Sequence, residues 1–66
     1  MQLKVNGEDR TLEKPLSIAE FLALHQLVAK MLVVEHNGVI VPRDKYAETR
    51  LHSGDEIEIV QMMAGG

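Results

Sequence analysis

Leu16-Ser17-Ile18-Ala19-Glu20-Phe21-Leu22 is the stretch from which the rest of the chain can be placed. Serine and glutamate stand three residues apart just before an apolar periodicity, which is the spacing of a capping box: the Ser17 hydroxyl takes the Glu20 N–H and the Glu20 carboxylate takes the Ser17 N–H. Leu16 and Phe21 fill the two positions of a hydrophobic staple, and such a cap contributes about 1 kcal/mol. Ile18, Phe21, Leu22 and His25 then follow one helical stripe with Leu24 beside it. A helix is expected to run to about His25 or Gln26 and to pack its apolar stripe on a sheet.

The sheet is written on either side of that helix. Met1, Leu3 and Val5 alternate with Gln2, Lys4 and Asn6, the period of a strand with one buried face. Asn6-Gly7 tolerates the positive φ of a type I′ turn, so residues 8–13 are expected to fold back as a second strand. With that loop Leu12 faces Met1 and Arg10 faces Leu3, placing a charged head on an apolar face unless it snorkels at the sheet edge. Downstream, Gln26 to Lys30 reads as a connection and residues 31–36 as a third strand. Asn37-Gly38 repeats the hairpin signal, and Val39-Ile40-Val41 is a short strand stopped by Pro42, which cannot donate to a ladder. Arg43 to Thr49 is a loop with one short helical turn holding Tyr46, Arg50-Leu51 adds a scrap of strand, and Ser53-Gly54-Asp55 turns into a last strand from Glu56 to Met62. Ile57 and Ile59 are assigned to the core; Glu58, Val60 and Met62 point the other way.

The order strand, strand, helix, strand, short strand, strand is that of an α+β, ubiquitin-like β-grasp: a mixed sheet with one helix across one face, the first and last strands parallel and adjacent at its centre. Residues 1–63 are expected to form this domain, and Ala64-Gly65-Gly66 a flexible tail beyond it. Two glycines make a segment thin enough for a tunnel that excludes side chains, so it can present the Gly66 carbonyl carbon to another protein's active site.

Composition narrows the classes of function. At 66 residues the chain holds one domain, near the size at which a single core just suffices. With no cysteine there is no disulfide, thiolate ligand or persulfide-bearing nucleophile, so any sulfur chemistry must use the C-terminus. A net charge of −3, one Tyr and one Phe argue against nucleic acid and suit a basic protein partner. Met31-Leu32-Val33-Val34 is far too short to span a bilayer and no basic region precedes an apolar stretch at the start, so cytoplasmic residence is the default. The glycines form no phosphate-binding loop, and any ATP is expected on a partner. His25, His36 and His52 lack metal-ligand spacing; no metal is expected, with His25 at the core edge and His36 and His52 solvated. Ser17 is used as a cap and has no histidine placed to activate it, so the chain is not expected to be an enzyme. Val60, Met62 and Met63, just before the tail, are expected to dock on a partner.

Over essentially its full length the sequence resembles the ThiS-type family of thiamine-biosynthesis sulfur carriers. The resemblance is carried by Asn6-Gly7, Ser17-Ile18-Ala19-Glu20-Phe21-Leu22, Glu35-His36-Asn37-Gly38 leading to Ile40-Val41-Pro42-Arg43, Tyr46, Gly54-Asp55-Glu56-Ile57 and Ala64-Gly65-Gly66. His25 stands where the family often has leucine, and Gln26 where a helix-ending glycine is frequent. The resemblance implies that an ATP-dependent adenylyltransferase resembling ubiquitin-activating enzymes converts the Gly66 carboxylate to an acyl-adenylate. Sulfur from a persulfide on another protein then displaces AMP, and thiazole synthase uses the resulting thiocarboxylate. Arg43 and Tyr46 match the family pattern, and support of their loop is the role expected of them. Other readings are a sulfur carrier like the small subunit of molybdopterin synthase, a ubiquitin-like modifier joined through Gly66 to a lysine, and a passive interaction module.

Overall fold

A computed structural model describes residues 1–61; Met62, Met63, Ala64, Gly65 and Gly66 lie outside the described residues. Both predicted hairpins form, for the predicted reason. Asn6 and Gly7 have φ of 51° and 83°, and Asn37 and Gly38 of 53° and 85°, the paired positive values of a type I′ turn. The first turn joins β1 (Gln2–Val5) to β2 (Glu8–Thr11), with Val5 opposite Glu8 and Leu3 opposite Arg10. Leu12 lies past the end of β2, so that strand stops short of the expected residue 13, yet its N–H still donates to the Met1 carbonyl at 2.8 Å. Arg10 does share a face with buried Leu3, and it resolves the conflict by reaching back to Glu8 Oε1 at 3.2 Å, its side chain half exposed.

The capping box is complete at the start of α1 (Ile18–Leu24): Ser17 N–H donates to Glu20 Oε1 at 2.8 Å and Glu20 N–H to Ser17 Oγ at 3.1 Å. The other N–H groups of the first turn are also satisfied, Ile18 by the Thr49 carbonyl, Ala19 by that of Tyr46 and Phe21 by that of Ser17. The Arg43–Thr49 loop is thereby laced to the helix, and the scrap of strand at Arg50 is a single bridge to Ser17. The helix ends without glycine. Gln26 adopts φ 59° beyond the His25 cap, donating to the Ala23 carbonyl while Leu27 N–H reaches that of Leu22, which is the bonding pattern of a Schellman motif.

A 3-10 turn at Ala29–Met31 takes up Met31, so β3 (Leu32–His36) begins one residue later than expected. It is followed by β4 (Val39–Ile40) and, after a 3-10 turn at Arg43–Lys45 that delivers Tyr46 to the core, by β5 (Glu56–Gln61). The sheet order is β2-β1-β5-β3-β4, with β1 and β5 parallel and the other pairings antiparallel. Leu3, Val5, Leu32, Val34 and Ile57 face the helix residues Ile18, Phe21 and Leu22 in one core, closed by Leu12, Tyr46 and Leu51. Ile57 is fully buried as expected, whereas Ile59 is only half-buried near the sheet end.

Candidate functional site: the outer sheet face and the end of the last strand

The expected site lies on and beyond β5, so what holds that strand decides what the site can do. β5 is the central strand. On one side Lys4 N–H donates to the Asp55 carbonyl at 3.0 Å and Asn6 N–H to that of Ile57 at 2.8 Å. The Asn6 side chain then continues the ladder: its Oδ1 accepts from Ile59 N–H at 2.7 Å and its Nδ2 donates to the Ile59 carbonyl at 3.2 Å. On the other side β3 pairs with β5 from Leu32 opposite Gln61 to His36 opposite Ile57. Asn37 extends this pairing, its N–H donating to the Glu56 carbonyl and its Oδ1 accepting from Glu56 N–H, both at 2.8 Å. The first residue of each hairpin turn therefore clasps the last strand with its side-chain amide.

Where β5 begins, Asp55 gathers a polar cluster. Its Oδ2 receives His36 Nε2 at 2.7 Å and His52 N–H at 2.8 Å, and its Oδ1 receives Asn37 Nδ2 at 3.2 Å. Desolvation pushes the Asp55 carboxyl upward, but these hydrogen bonds and the charge of His36 outweigh it, and the group is held below the usual carboxylate range. His36 is therefore not solvated as the sequence suggested; the turn folds it onto a carboxylate nineteen residues away, a long-range pairing with no local signature. His52 is exposed as expected. His25 is exposed too, its ring tilted against Phe21 with centroids 4.5 Å apart. Among the described residues no three His, Cys, Asp or Glu side chains are grouped to hold a metal ion.

Of the expected docking residues, Val60 is described and is 60 % exposed on the face of the sheet away from the helix; Met62 and Met63 lie outside the described residues, as do Ala64, Gly65 and Gly66 of the tail. Register adds neighbours that sequence spacing did not reveal. Val33 stands directly opposite Val60, and Ile40, 63 % exposed, stands opposite Glu35 on the same face. Tyr46 is buried, while Arg43 is exposed at the start of its turn, so Tyr46 supports the loop through the core. The Ser17 hydroxyl is occupied by the helix cap. Among the described residues no helix is long and apolar enough to cross a membrane.

Comparison with known proteins agrees over the full length. The profile of the ThiS family matches residues 3–66. The sulfur carrier protein ThiS of Bacillus subtilis is 38% identical over 65 residues, covering 97% of this chain and 98% of that one. A thiazole synthase of Paramagnetospirillum magneticum is 33% identical over 66 residues; all of this chain is covered, but it spans only 20% of that protein. The crystal structure of the thiamine biosynthesis protein ThiS from Geobacter metallireducens superposes with a TM-score of 0.86 at 32% identity, covering 100% of both chains.

Proposed function

The chain belongs to the ThiS family and is a sulfur carrier of thiamine biosynthesis, and from that premise we propose that the carboxylate of Gly66 is the group that carries the sulfur. The observation behind this reading is that the family match includes the tail Ala64-Gly65-Gly66 as well as the domain. The chain acts as a carrier protein, with the catalysis done by others.

Activation begins with a Gly66 carboxylate oxygen attacking the α-phosphorus of ATP, which expels pyrophosphate and leaves an acyl-adenylate. ATP is bound by the activating adenylyltransferase. The terminal sulfur of a protein persulfide attacks the acyl carbon and expels AMP, and a second thiol cleaves the S–S bond of the acyl disulfide, leaving the thiocarboxylate and a disulfide. Glycine suits the acyl position because an unbranched tail lets both nucleophiles approach the carbonyl carbon. A chain without cysteine cannot trap its own activated carboxyl as a thioester or form a mixed disulfide with the donor. Thiazole synthase is the acceptor; a thiazole synthase containing a stretch 33% identical to this whole chain supports that partnership. All of these partners are cytoplasmic on this reading. Val60, Met62 and Met63 seat the tail in the activating enzyme.

The test is intact-mass measurement after incubation with the activating enzyme, ATP and a persulfide donor. The mass is expected to rise by the difference between sulfur and oxygen. Deletion of Gly66 should abolish the gain and leave the melting temperature unchanged. Sulfur acquired by the deleted protein would overturn the assignment.

A further inference from the structure

The outer sheet face carries a feature that stability alone does not explain. Glu35 on β3 and Glu58 on β5 are directly opposite each other, and like charges so placed destabilise a sheet. All seven Lys and Arg residues lie within the described part of the chain, yet none forms an ion pair with either carboxylate there. The nearest registered cation, Lys4 on β1, stands opposite Glu56 in the strand register, not opposite Glu58. Toward the end of β5 the same face is apolar: Val33 and Val60 form the next pair along the strands, and Ile40 lies opposite Glu35 on β4. Glu35 is itself partly buried.

We propose that this face docks a protein surface that presents a lysine or arginine flanked by apolar side chains. The cation enters between Glu35 and Glu58, and the apolar groups cover Val33, Ile40 and Val60. On the reading given above, on which this inference rests, that protein is the activating enzyme. Charge complementarity selects this occupant. A cation between the two carboxylates removes their repulsion at the moment of binding, and the apolar rim excludes water from the contact, so the interaction strengthens both affinity and orientation. A second copy of the chain is disfavoured, because its net charge of −3 repels and its identical face would bring two more glutamates to the same place. Glu58 also lies on the strand that leads to the reactive tail, so docking here fixes the direction in which the tail leaves.

The Glu35→Gln/Glu58→Gln double variant tests this. Sulfur transfer and direct binding are measured with the activating enzyme at low and high salt, beside a Glu13→Gln/Glu48→Gln control that makes the same charge change away from the face. The expected result is a loss of about tenfold or more in kcat/KM, carried by KM, with a weaker salt dependence than the wild type and a melting temperature equal to or above it. The control should behave as wild type. A wild-type chain that neither binds the enzyme nor gains sulfur would overturn the functional reading and this inference with it. A wild-type chain that is activated, with a double variant of equal kcat/KM and salt dependence, would overturn the docking surface alone. So would a double variant that melts below wild type, since the opposed carboxylates would then be stabilising. Sedimentation of the chain by itself is expected to give a monomer; a dimer dissolved by Val60→Asp with activation unchanged would assign the face to self-association instead.

Discussion

Asn6 and Asn37 sit at the first position of their turns with positive φ; Asn6 binds the backbone of the last strand through both amide atoms, and Asn37 accepts from that backbone through Oδ1 while its Nδ2 donates to the Asp55 carboxylate. Aspartate would satisfy the turn but could not donate. Asn6→Asp is therefore expected to lose the bond to the Ile59 carbonyl and set a carboxylate against it, costing about 1 kcal/mol and lowering the melting temperature by about 4–8 °C. Asp55 carries a larger share, since its side chain is 13% exposed and receives donors from His36, His52 and Asn37. Asp55→Ala should cost about 2 kcal/mol. Because the folded carboxyl titrates below its unfolded value, its stabilisation is complete above the ordinary carboxylate range and disappears as pH falls through the lowered folded value. Melting curves from neutral to strongly acidic pH are expected to fall more steeply below that range for the wild type than for Asp55→Ala. Equal slopes would remove Asp55 from the acid response.

At the level of elements, what was legible in the sequence was whatever is fixed by a few adjacent residues. The capping box, both Asn-Gly turns and the alternation of β1 require no knowledge of distant parts of the chain, and each is found where the residues placed it. The parity of the last strand was also readable, with Ile57 buried and Val60 exposed. Elements whose limits depend on partners were less so. Met31 left β3 because Ala29–Met31 closes a 3-10 turn, and His36 was misread because its partner lies across the sheet. Val33 and Ile40 joined the outer-face site only through register, a quantity set by turns and core packing together. The end of α1 is the instructive intermediate case. A glycine-free sequence concealed a Schellman motif in which Gln26 takes the left-handed backbone that glycine adopts without strain. Gln26→Gly should therefore stabilise the protein by about 1 kcal/mol, seen as a higher midpoint in urea with an unchanged slope. A lower midpoint would show that the Gln26 side chain contributes more than its backbone costs.

The molecule as a whole has little stability to spare. A core of this size rarely supplies more than about 3–5 kcal/mol net, while truncating a buried leucine costs about 2–5 kcal/mol. Leu51→Ala, at a position 1% exposed between the helix start and the sheet, is expected to leave a large unfolded fraction at room temperature by circular dichroism. Val60→Asp, on the outer face, opens no core cavity and should melt far closer to the wild type than Leu51→Ala does. If the two variants melted alike, the division of the sheet into a packed face and a free one would be wrong. The central placement of β5 has a mechanical consequence. An enzyme that draws the chain end into a narrow channel applies force along the axis of β5, parallel to β1 and antiparallel to β3. Hydrogen bonds to both neighbours lie across that direction, so they are loaded together in shear instead of being peeled one after another. Strain applied at the end of the chain is thus spread over both flanking strands and the two asparagine clasps, and the domain can serve as a rigid handle while its last residues are pulled taut.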